Sequence, residues 1–122
     1  MARDQSKADD LQRRLIAFGA DIIALSSKLH STRQGRHISG QILSSGTATA
    51  ANYGEARRAE SRSDFVHKLG IVLKELYETA IWLEMISNSS LLPAEQIVAI
   101  VAENRELSKI ITASVKTARG IP

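Results

Sequence analysis

Large apolar residues fall at Leu11, Leu15, Phe18, Ile22, Leu25 and Leu29, separated by 4, 3, 4, 3 and 4 positions. That spacing winds down one side of an α-helix and predicts a helix over about 6–31. Asp9 and Asp10 suit its first turn, where the helix dipole favours anions. A polar connection at 31–35 follows. A second helix is predicted over about 36–53: Ile38, Ile42 and Leu43 begin its face, and Ser45, Gly46, Thr49, Ala50 and Tyr53 continue it. Gly40 and Gly46 each cost ~1 kcal/mol against alanine in a helix interior. A helix tolerates that where a neighbouring backbone must come close. No turn dipeptide and no alternation of large residues supports a loop or strand at 44–51.

The third segment repeats Phe65, Leu69, Val72, Leu76, Thr79, Leu83 and Ile86, and predicts a helix over about 63–87. Ser61, three residues before Asp64, is its candidate N-cap, with Ser63 as the rival. Asn-Ser-Ser at 88–90 ends it. Pro93 suits the first turn of a fourth helix over about 93–118, whose buried face is Ile97, Ile100, Val101, Leu107, Ile111 and Val115, with Asn104 in a core-like slot. Gly120 is its expected stop. Four helices on short polar turns predict an all-α, antiparallel up-down-up-down four-helix bundle. At 122 residues and 43% apolar content the chain is expected to form a single domain, 1–122, around one core.

The third helix carries more apolar surface than one seam needs. Leu73, Tyr77 and Ile81 form a second stripe, with Trp82 beside it. Extra apolar surface on a small domain points to a subunit contact, so Tyr77, Ile81 and Trp82 are the candidate oligomer interface.

Charge adds a second candidate. The 16 Lys and Arg exceed the 13 Asp and Glu by only three, but Arg33, Arg36, Arg57, Arg58 and Arg62 face just Glu55 and Glu60 in their stretch. Such a surface can attract nucleic acid, and these five arginines are the candidate phosphate contacts. They fall at opposite ends of the second helix and form two patches, which repetition in an oligomer would turn into rings. The simpler reading is a solvated face. Phe18, Phe65, Tyr77 and Trp82 all fall in core or interface stripes, which leaves no expected platform for stacked bases.

Other chemistries find little support. The chain has no cysteine, which excludes disulfides, iron–sulfur clusters and a thiol nucleophile. A bundle metal site needs repeated Glu-x-x-His pairs, and Asp64-x-x-His67 occurs once with the wrong acid, so no metal and no cofactor are expected. No glycine-rich phosphate loop or nucleophile elbow is present, and no enzyme is expected. Lys74 and Glu78, four apart, read as a surface pair. The opening residues lack a signal-peptide core and no apolar run reaches membrane length, so a cytoplasmic protein that makes no membrane contact is expected.

The stretch 41–83 resembles a known family. Ser-Gly-Thr at 45–47, ANY at 51–53, GEAR at 54–57, AES at 59–61, DFVHKLGIVLKE at 64–75, ET at 78–79 and WLE at 82–84 together, in order, resemble the four-helix-bundle proteins encoded within intervening sequences of bacterial 23S ribosomal RNA genes. The resemblance implies a homopentamer around a central axis. It also implies kinship with the strongly basic accessory protein of diversity-generating retroelements, which associates with a reverse transcriptase and nucleic acid. Asn52, Glu55, Lys68, Lys74, Glu75 and Glu78 are the polar residues of the resembling segment; helix-end satisfaction and surface ion pairs are their simpler roles. The resulting expectation is a non-enzymatic binding or scaffold protein, a self-assembling homopentamer that contacts structured RNA or a nucleic-acid-handling protein through its basic turns. The alternative is a protein–protein adaptor without nucleic-acid binding.

Overall fold

A computed structural model describes the backbone of residues 2–120 and the side chains of residues 5–120. It contains α1 (Ala2–Ser27), α2 (Arg33–Ala56), α3 (Arg62–Asn88) and α4 (Val98–Arg119), with a short 3-10 turn at Ala94–Gln96. Each helix packs along the next, α2 against α3 most extensively, while α1 and α4 meet only narrowly. The result is the up-down-up-down bundle, with one flank more open than the others.

The stripes read from the sequence become the core. All six apolar residues of the α1 stripe are buried, as are Leu69, Val72, Leu76, Leu83 and Ile86 of α3 and Ile97, Leu107 and Ile111 before and within α4. Several expectations shift outward: Leu43 is exposed, and Ile38, Phe65, Ile100, Val101 and Val115 are half-buried, packed on the core's edge. Buried polar groups are paired. Ser45 Oγ lies 2.8 Å from Thr79 Oγ1, whose hydroxyl donates to Glu75 O, and Asn104 Nδ2 donates to Leu76 O at 3.0 Å. Such pairs remove the penalty of stranding a polar atom in an apolar interior.

The small-residue stretch of α2 separates into two roles. A β-carbon on Gly46 would lie 2.7 Å from Cγ2 of Ile22, so α1 and α2 approach closely there because that position has none. Gly40, by contrast, is exposed and has nothing within 4 Å of a built β-carbon, so close packing does not explain it.

Helix ends follow local hydrogen bonding. α1 stops at Ser27, short of 31, because Lys28 and Leu29 bond back three residues to Leu25 and Ser26 and draw Leu29 into the core. Thr32, not anticipated as a cap, accepts from Gly35 N and starts α2 at Arg33, so Arg33 and Arg36 are helical. α2 runs on to Ala56 because that residue is buried, which makes Gly54 and Glu55 helix rather than turn. Ser61, not Ser63, caps α3 by accepting from Asp64 N at 3.0 Å. At the other end Ser90 adopts φ 58°, with Ser90 N bonded to Ser87 O and Leu91 N to Ile86 O, a left-handed helix stop. Pro93 introduces the separate 3-10 turn and not the first turn of α4, which begins at Val98 after the buried Ile97.

Candidate nucleic-acid interface

Arg33 and Arg36 lie in the first turn of α2, Arg57 and Arg58 follow its last residue, and Arg62 opens α3. From Ile22 to Gly54 the chain contains Lys28, Arg33 and Arg36 but no Asp or Glu, so the α1–α2 end carries only positive formal charge from that segment. Arg36 donates to His30 O at 3.1 Å, while Arg33, Gln34, His37 and Ile38 line a shallow depression. At the opposite end, roughly 36 Å away along a 24-residue helix, Arg57 is committed to Asp9 at 2.7 Å. Arg58 and Arg62 are exposed and have no carboxylate within 4.0 Å among the described residues. No local pattern signals the Asp9–Arg57 pair, because its partners are 48 positions apart.

The polar residues of 52–78 do not converge on one cluster. Asn52 is half-buried and Glu55 is exposed. Lys68 pairs with Asp64 at 3.5 Å rather than with Glu55, and among the described residues Lys74 and Glu78 make no ion pair. Glu78 instead accepts from Trp82 Nε1 at 3.3 Å, and the Trp82 ring meets His37 edge-on with centroids 6.4 Å apart. Trp82 is therefore packed across the α2–α3 seam, away from the fully outward residues of α3. Partial burial, then the neighbouring Glu78, raises the Glu75 carboxyl above its ordinary range, against the opposing pull of Lys74. Neither glutamate lines a described cavity, so the shift marks crowding on a helix surface.

The family model for 23S rRNA-intervening sequence proteins matches residues 9–113. The chain belongs to that family. A solved structure supports the assignment: a protein of unknown function from the S23 ribosomal protein family of Bacteroides thetaiotaomicron VPI-5482 is 35% identical, with a TM-score of 0.83 over 87% of this chain and 98% of that one. No curated protein matches. Among the described residues, no helix is long and apolar enough to cross a membrane.

Two further surfaces of this member of the 23S rRNA-intervening sequence family stand apart from the arginine patches. Tyr77, Ile81 and Met85 are exposed along α3, each four residues from the next. On α4 the charges are sorted by side. Glu103 binds Arg14 of α1 through two hydrogen bonds of 2.7 and 2.9 Å, and Glu106 also acts on that guanidinium. Arg105, Lys109 and Lys116 instead line a groove shared with Tyr77 of α3. Sequence reading passed over these three cations because they are dispersed among apolar positions. Their spacing of four and seven, on one helix face, was the available signal.

Proposed function

We infer that this protein is a non-enzymatic, self-assembling scaffold that contacts structured RNA. The acid-free stretch from Ile22 to Gly54, held on a rigid helical frame with its cations at one bundle end, is the observation that carries the reading. Cations fixed in place hold phosphates with little sequence preference. Arg58 and Arg62 add a second set of charges at the other end. Exposed Ile81 and Met85 supply apolar area for self-contact, and the homopentamer that the family resemblance implies would repeat both ends as rings.

Fluorescence anisotropy of the purified assembly with a labelled ribosomal RNA hairpin, taken across a salt series, tests this. Binding is expected to weaken steeply as salt rises, and Arg33→Glu with Arg58→Glu and Arg62→Glu should lower both affinity and salt slope. Each lost phosphate contact flattens the slope by about 0.7–0.9. Salt-independent or absent binding overturns the RNA reading. It would favour a protein adaptor, to which the engagement of Arg36 and Arg57 by partners within the chain already lends weight.

A further inference from the structure

The groove between α3 and α4 combines features that neither helix shows alone. Arg105, Lys109 and Lys116 line it, with the hydroxyls of Ser108 and Thr112 between them and Tyr77 opposite. No acid lines this groove of about 400 Å³. Both acids of α4 are turned to the far side, toward Arg14 of α1. Among the described residues none of the three cations has a carboxylate within 4.0 Å. Along the helix axis the cations stand roughly 6 and 10 Å apart, at 1.5 Å per residue. Tyr77 is 53% exposed, so much of its side chain is accessible to a ligand. The groove continues past Tyr77 and Arg105 into a hollow of about 570 Å³ that includes Val98 and Val101, where Glu84 bounds the cationic run.

From this arrangement we propose that the α3–α4 groove is a binding site for single-stranded RNA, with phosphates tracked by Arg105, Lys109 and Lys116 and a base stacked on Tyr77. A row of cations alone would take any polyanion. The exposed ring within the row selects a strand whose bases are free to stack, because bases in a duplex are already stacked on each other. The site rests on the RNA-scaffold reading above and extends it: the bundle ends would hold paired regions by their phosphates, and the groove would hold an unpaired strand. It also removes Tyr77 from the candidate self-contact, which leaves Ile81 and Met85.

The test uses the whole assembly, two labelled RNAs (an unstructured single strand and a fully paired hairpin) and four variants, with particle size measured in parallel by light scattering. Tyr77→Phe keeps the ring and should bind like the parent, whereas Tyr77→Ala should weaken the single strand about tenfold and leave the hairpin unchanged. Lys109→Glu with Lys116→Glu should flatten the single-strand salt slope by about 1.4, two contacts at ~0.7 each. The groove proposal is overturned if single-strand affinity survives both changes while Arg58→Glu with Arg62→Glu abolishes it, an outcome that leaves the RNA-scaffold reading intact. It is also overturned if Tyr77→Ala changes particle size, which would make Tyr77 a subunit contact. Failure of every RNA to bind at low salt would remove both readings together.

Discussion

A single β-carbon separates two glycines of α2 that look alike in sequence. At Gly46 it would press on the branched carbons of Ile22, the nearest 2.7 Å away, and at Gly40 it would meet nothing within 4 Å. Gly46→Ala is therefore expected to destabilise, because an overpacking cost of about 1–3 kcal/mol is only partly offset by a helix-propensity gain of ~1 kcal/mol. Gly40→Ala should stabilise by about 0.4–1 kcal/mol. Urea unfolding of the two variants checks the opposite signs; equal shifts would mean that α1 and α2 do not approach as described. Gly35 is more constrained than either, since its β-carbon would collide with the Leu29 carbonyl at 2.0 Å. Sequence reading could identify small residues as permissive but could not rank them, because the ranking depends on which atom of another helix lies opposite.

At the scale of the element, the stripes and the Ser61 cap were legible, while the Thr32 cap and exact stops were not. The α1 and α3 stripes and the Ser61 cap follow from periods and side-chain chemistry that the chain displays locally. The ends of α1 and α2 and the 3-10 turn after Pro93 depend on where Leu29, Ala56 and Ile97 are buried, which requires the neighbouring helix. The α3 stop illustrates the remaining cost: Ser90 holds a left-handed backbone that glycine adopts freely. Ser90→Gly is expected to stabilise by about 1 kcal/mol, read as a rise in urea midpoint without change of slope. A loss of stability would show that the Ser90 side chain contributes more than its backbone strain costs.

At the scale of the whole molecule, the division of charge and apolar surface sets what the bundle can contact. The narrow α1–α4 flank is bridged by the Arg14–Glu103 pair, a surface contact worth at most about 1 kcal/mol. The adjacent α3–α4 side keeps its cations unpaired among the described residues, and the outer face of α3 keeps Ile81 and Met85 exposed. Replacing both of these with asparagine should leave the helical content unchanged and reduce particle size in light scattering. Unchanged particles would move the self-contact to another surface, such as that of Ile16, Ile23 and Leu43 on α1 and α2.

The sequence by itself determined the four helices, their buried faces and the absence of thiol chemistry, because these depend on residue type and on periods within one segment. It also carried the family, through the order of short matches between Ser45 and Glu84. Only the tertiary structure decided which charges are neutralised. Asp9 reaches Arg57 and Glu103 reaches Arg14 across 48 and 89 positions. The same packing sets Trp82 against α2, leaves Tyr77 open and gathers Arg105, Lys109 and Lys116 beside it. A one-dimensional pattern records which side of a helix a residue occupies; what stands across from that side is fixed only when a second helix packs there.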